Sequence, residues 1–216
     1  MSSKVIRIVI ALFALSMLVG ARCAFIATSG FDSKDEEQDD DSGLIVVIAN
    51  GRLIDGPVEG VRYESGSLSG FTGPNGEFEY EIGKHIRFSI GDIPLGEAVT
   101  AKDLMTPLDL ITGGSLESAA AINIARLLQS LDSVAGDQKI TIPFTMHEAA
   151  VLSNESIGPA IQSLDYADEV VFVNSASQLV ATLTQSYRFT AMLVDTETAK
   201  RHLLQSFAQT GIRGVE

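Results

Sequence analysis

The chain has 216 residues with a formal net charge of −13, and hydrophobic types make up 45% of it, enough for a sizeable core. A surface this acidic, with no Lys/Arg cluster, disfavours phosphate backbones, so nucleic acid is not an expected partner. Trp is absent and Cys occurs once, which excludes an intrachain disulfide.

The start reads as an export leader. Lys4 and Arg7 precede an apolar run from Ile8 to Ala21, and no acid appears before Asp32. A basic tip, a short apolar stretch and a small-residue end make a secretory signal, with cleavage expected after Ala21. The run falls short of the ~20 residues that span a bilayer. An uncleaved anchor, continuing through Cys23 to Ala27, is the alternative. Either way the expected location is exported (periplasm, outer envelope or cell surface), with membrane contact only through an N-terminal signal, anchor or lipid.

Leu18-Val19-Gly20-Ala21-Arg22-Cys23 resembles the lipoprotein box shifted by one residue, with Arg22 where that family places a small residue. The resemblance makes Cys23 a lipidation candidate; the other reading is an ordinary thiol in a tail. Phe31 to Gly43 follows, FDSKDEEQDDDSG, in which acids far outnumber the lone Lys34. Like charges repel and little apolar surface is available for burial, so residues 22–43 read as a solvated, extended tether.

Strands come next. Leu44 to Asn50, LIVVIAN, is a short apolar run consistent with a buried strand. Val58 to Tyr63 is a second candidate. Leu68 to Thr72 alternates, as does Glu77 to Glu81, and Gly73-Pro74-Asn75-Gly76 between them predicts a tight reversal. That pairing puts Phe71, Phe78 and Tyr80 on one face of a hairpin. Ile86 to Ile90 is a further strand, closed by Gly91-Asp92 and Pro94. Strands at this spacing with Gly/Pro/Asn punctuation predict a β-sandwich over residues 44–112.

The order Gly60-Val61-Arg62-Tyr63, then Thr72-Gly73-Pro74-Asn75-Gly76-Glu77-Phe78, resembles the transthyretin-like or carboxypeptidase-regulatory-like β-sandwich module. Gly73 stands where that family often has Asp. The resemblance extends over about residues 58–132, because in secreted bacterial proteins and lipoproteins of this kind a helix such as Asn123 to Asp132 follows the sandwich. It implies a non-catalytic module.

Beyond residue 113 the period changes to that of helices. Ser115 to Leu131 places Ala120, Ile124, Leu127, Leu128 and Leu131 on one face, with Ser115 as cap. Asn123 and Arg126 lie three apart on that helix, placed either to grip a ligand or to bond a neighbouring loop. Ile140 to Ile142 reads as a short strand stopped by Pro143, and Met146 to Leu152 as a turn or two of helix. Glu169 to Val173 is rich in β-branched residues and reads as strand; Ser177 to Tyr187 reads as helix. Asp195 caps a last helix from Thr196 to about Gln209, ended by Gly211, with Ala199, Leu203, Leu204 and Phe207 as its apolar stripe. Lys200, Arg201 and His202 are expected on its exposed faces. The fold class is therefore α+β: an N-terminal antiparallel β-sandwich followed by a mainly helical region over residues 113–216.

Reactive chemistry is sparse. His85, His147 and His202 are scattered, without metal-ligand spacing. Asp132 and Asp137 flank a loop after a helix and form a calcium candidate, with two carboxylates and the Ser133 hydroxyl against the six to eight oxygens calcium takes; the other reading is a turn around Gly136. In Gly66-Ser67-Leu68-Ser69-Gly70 the centre is Leu68, so it is no nucleophile elbow. Gly113-Gly114 lacks the phosphate-loop pattern. Two functions are carried forward. One is a non-enzymatic envelope or surface protein, binding or structural, that contacts an envelope or surface protein or glycan. The other is a secreted hydrolase using an acid pair such as Asp103 and Asp109. No cofactor other than the calcium candidate is expected.

Overall fold

The computed structural model describes residues 46–211. The expected leader, its cleavage after Ala21, Cys23 and the acidic tether lie outside the described residues. The class is α+β, with mostly antiparallel sheets in the N-terminal half and helices at the C-terminal end.

Nine strands come first: β1 (Ile48–Leu53), β2 (Val58–Glu59), β3 (Arg62–Ser65), β4 (Leu68–Phe71), β5 (Glu77–Glu81), β6 (His85–Ile90), β7 (Ile93–Pro94), β8 (Val99–Thr100) and β9 (Leu104–Met105). A 3-10 turn at Pro107–Leu110 leads to helix α1 (Ala119–Ser130). Then come β10 (Ile140–Thr141) and helices α2 (Phe144–Ala149), α3 (Gly158–Ser163), α4 (Glu169–Leu183) and α5 (Thr196–Thr210).

One sheet runs β5-β1-β9, with β5 antiparallel and β9 parallel to β1. A second runs β4-β3-β6-β7 in antiparallel order, with β8 also on β6. The pair β2-β10 is parallel and ties the helical half back to the strand half.

The reversal at Gly73–Gly76 forms, with the Gly73 N–H donating to the Glu77 carbonyl at 2.9 Å, but its two arms do not pair. It hands the chain from one sheet to the other: β4 pairs with β3, and β5 with β1. Phe71 therefore does not share a face with Phe78 and Tyr80. Phe71 is 45% exposed, whereas Phe78 is 2% exposed. The Phe78 ring reaches across to the second sheet, edge-on to Phe88 at 5.3 Å and tilted against Tyr63 at 6.0 Å. Behind it lies Gly51, where a Cβ would run into the ring itself, so β1 carries a residue without a side chain at that point.

In the described part of the apolar run LIVVIAN, Val46, Val47 and Ile48 are all exposed, and the strand begins at Ile48. The buried part is the following stretch, Leu53 to Asp55, which pairs onward toward β9. Val58 to Tyr63 is split at Gly60, whose φ of 82° and closeness to the Ile142 carbonyl leave no room for a Cβ. That break frees β2 to pair with β10 while β3 joins the other sheet.

Helix α1 starts later than expected. Its cap is Ser118, which accepts from the Ala121 N–H, while the Ser115 hydroxyl accepts from the Glu117 N–H in the turn before. The helical turn expected over Met146 to Leu152 runs earlier, at Phe144–Ala149. Glu169 to Val173 is helix, not strand. Asp168 accepts from the Val170 and Val171 N–H groups and starts α4, which then buries Phe172, Ala176, Leu179, Val180 and Leu183 at helical spacing. Capping and tertiary burial override the weak strand preference of the valines. The last helix has the expected ends, from the Asp195 cap to the left-handed Gly211, but Leu204 is exposed and its buried stripe is Ala199, Leu203 and Phe207.

The main core runs continuously from Leu53 in the sheets to Leu183 in α4. A smaller cluster sits apart from it, made by Leu108, Ala121, Ile122 and Ala125 with Ala199, Leu203 and Phe207 of α5.

Because Phe78 is shared between two sheets, Phe78→Ala is expected to cost about 3–5 kcal/mol of unfolding free energy. Urea denaturation read by far-ultraviolet circular dichroism measures this; a loss under about 1 kcal/mol would show that the ring does not join the sheets.

Candidate functional site

Sheet strands alternate their side chains, so Ser69 and Phe71 of β4, Arg62 and Glu64 of β3, and Arg87 and Ser89 of β6 share the outer face of the second sheet. Phe71 lies opposite Arg62, and Glu64 opposite Arg87. The neighbouring helix α2 starts after Pro143 and projects Phe144, which is 63% exposed. The two rings meet edge-to-face at 5.6 Å and 73°, forming an apolar surface patch.

His147 holds this patch in place. Its ring stands 4.9 Å from that of Phe71 and 6.3 Å from that of Phe144. The Gly91 N–H donates to Nδ1 at 2.9 Å, so Nδ1 carries no proton and Nε2–H donates to the Gly60 carbonyl at 2.7 Å. One neutral tautomer satisfies both bonds. Burial, together with the nearby Arg62 charge, lowers the His147 pKa, which the Gly60 bond only partly offsets. Beside the patch lies an open trough of about 360 Å³ lined by Arg62, Glu64, Arg87, Ser89 and Asp92. Arg62 pairs with Glu64 at 2.7 Å, and both are half exposed. The face is thus an apolar centre with a rim of mixed charge.

Asn123 and Arg126 come together, and the structure uses them as bonds to loops. Arg126 Nη1 donates to Asn123 Oδ1 and to Glu169 Oε1, both at 2.8 Å, while Nε donates to the Val194 carbonyl at 2.8 Å. Its guanidinium lies 5.0 Å from the Phe172 ring centre. Asn123 Nδ2 donates to the Tyr166 carbonyl at 3.0 Å.

His202 is the main correction. It does not lie on an exposed basic face: Nδ1 pairs with Oδ1 of Asp55 at 2.8 Å, and Asp55 is fully buried. Gln129 Nε2 donates to both oxygens of the same carboxylate, at 3.2 and 3.0 Å. The Asp55 bond, the largest influence, raises the His202 pKa against the opposing effect of burial. Asp55 escaped sequence reasoning because it belongs to no motif; the one available signal was an acid next to a buried strand end, followed by Gly56.

Asp103 and Asp109 line one hollow of about 360 Å³ with Lys102, Thr106 and Phe207. Asp109 is committed there: Oδ2 accepts from the Thr106 N–H and hydroxyl at 2.8 Å, and Oδ1 accepts from Lys102 at 2.6 Å. In the loop after α1, Asp132 Oδ1 accepts from the Thr141 and Val134 N–H groups, and Asp137 Oδ1 from that of Lys139. Burial raises the Asp132 pKa. Among the described residues no group of three His, Cys, Asp or Glu side chains is placed to hold a metal ion. Ser67 donates its hydroxyl to Glu81 Oε1 at 2.6 Å in the turn between β3 and β4. His85 begins β6 on its exposed side.

No family model, characterised protein or solved structure matches the chain.

The two histidines should titrate in opposite directions. His147 is held neutral, so it takes a proton only below the ordinary value near 6.5, and its share of stability is present above that value and falls as pH drops through its lowered pKa. His202 keeps its proton above the ordinary value. Nitrogen-15 NMR of these two imidazoles is expected to show His202 taking its proton before His147 on acidification; the reverse order would contradict both assignments.

Proposed function

We propose that this chain is a non-enzymatic, exported module of the cell envelope or surface, and that it holds a protein partner through the face centred on Phe71 and Phe144. The leader and acidic tether of the sequence support export and tethering. The sharing of the Phe78 ring between two sheets supports reading the strand half as a transthyretin-like sandwich.

The observation that carries the proposal is the contact between two exposed phenylalanines on a surface made rigid by His147. Exposed aromatic pairs ringed by polar groups are the usual centre of a protein interface, because burying them releases water while the rim supplies orientation. A protein fits better than a glycan. Sugar stacking uses a flat ring face, whereas these rings stand at 73° to one another. The mixed charges of Arg62, Glu64, Arg87 and Asp92 suit the polar rim of a protein contact. Binding here needs no bond to be broken, and the polar clusters elsewhere spend their donors and acceptors on holding loops.

Photo-crosslinking from position 144, in the envelope fraction of cells making the full chain, tests this. A discrete protein adduct is expected, absent when the crosslinker sits at the exposed Gln178 of α4 and lost when Phe71→Ser is added. Phe71→Ser is expected to cost only about 1 kcal/mol of stability, because the ring is nearly half exposed and lies outside the core. A glycan adduct, or equal labelling from both positions, would refute a protein-binding face. Sustained turnover of ester or glycan substrates that is abolished by Asp103→Asn would instead support the hydrolase reading.

A further inference from the structure

We propose that α5 is a detachable strap, locked onto α1 by the Asp55–His202 clasp and released as pH rises. Three observations carry this. First, α5 does not share the main core. Its stripe of Ala199, Leu203 and Phe207 packs into the separate cluster with Leu108 and α1, flanked by the partly buried Ile111, Leu116 and Val194. Such an element can leave without opening the sheets.

Second, the polar side of the same helix is pinned to one place, the turn after β1. His202 pairs with Asp55, and the Ser206 hydroxyl accepts from the Gly56 N–H at 2.6 Å while donating to the His202 carbonyl at 2.9 Å. Gln129 of α1 also donates to the Ala199 carbonyl of α5, at a long 3.4 Å, and the other polar attachments of α5 are peripheral: Lys200 to a mostly exposed Glu117 at 3.5 Å, and Gln209 to Gln138.

Third, the charges around His202 make its proton the balancing element. Asp55 faces it from the strand turn and Asp132 from the end of α1, while Gln129 on α1 is neutral. On α5 itself, Arg201 is turned to Thr198 and Lys200 to Glu117. A protonated imidazole therefore sits between two acids. Once it loses that proton, Asp55 remains as a fully buried carboxylate without a cationic partner, and among the described residues only the Gln129 amide and a neutral ring bond its side chain. Water can reach Asp55 if α5 lifts away, and a buried charge favours whichever arrangement hydrates it. The sign follows from linkage. A histidine bound more firmly to its proton in the folded state holds fully below the ordinary value near 6.5 and lets go as pH climbs through the raised one. His147 titrates below this window and does not interfere.

Hydrogen exchange by mass spectrometry on the full chain, corrected for intrinsic rates at pH 6 and pH 9, tests the strap. Peptides covering 196–210 are expected to lose about tenfold in protection relative to those covering 169–183 at the higher pH. Asp55→Asn, which removes the buried charge, is expected to abolish that step; if D55N does not fold, H202Q serves, since a neutral amide cannot titrate. An unchanged ratio, loss of both helices together, or a step that persists in the variant would each overturn the proposal.

Discussion

Helix α1 is buried on nearly every side, and that constraint organises the rest of the molecule. From Ala121 to Leu128 every residue is buried. A helix in such a place satisfies its own backbone, but Asn123, Arg126, Gln129 and Ser130 bring polar groups that need partners inside the protein. Together they find them in three different segments. Asn123 reaches the loop before α4, Arg126 and Ser130 reach Val194 before α5, and Gln129 reaches Asp55 after β1. Losing one partner of a buried bond costs about 1–3 kcal/mol, more when the group is charged, so these bonds fix where the connecting loops run. The Arg126–Glu169 ion pair adds little by comparison, because Glu169 is half in water.

This arrangement explains how the two halves become one unit. The apolar side of α1 joins the core shared by sheets and helices, and its other side receives α5. Pairing β10 beside β2 adds a hydrogen-bonded link between the helical half and the strand half. The outer face of the second sheet is left out of these contacts. There Phe71 and Phe144 stand in water, held by a histidine whose two nitrogens are both bonded to backbone. Rigidity of that kind lowers the entropy lost on binding, which is what an interface gains from preorganisation.

Much of this was legible in the residues. The final helix carried its cap, terminating glycine and, apart from the exposed Leu204, its stripe in the sequence, and α1 carried its periodicity. The Asn123–Arg126 pair was readable as neighbours, since helical spacing alone puts them together. What the residues did not reveal was partner choice. The reversal at Gly73–Gly76 was correct as a turn, yet turn chemistry does not say whether its arms pair with each other or with strands far away. Glu169 to Val173 misled because β-branched preference is weak beside an Asp168 cap and a buried Phe172. Asp55 and His202 stand 147 positions apart, a contact that only the assembled fold creates.

The most direct test of the central claim uses Arg126→Met, which keeps the stem against Phe172 and removes the bonds. Native-state hydrogen exchange is predicted to show lost protection at the first turn of α4 and at Val194, with amides of β3 and β6 unchanged. Equal loss throughout the sheets, or none at all, would contradict the view that the polar side chains of α1 fasten the chain around it.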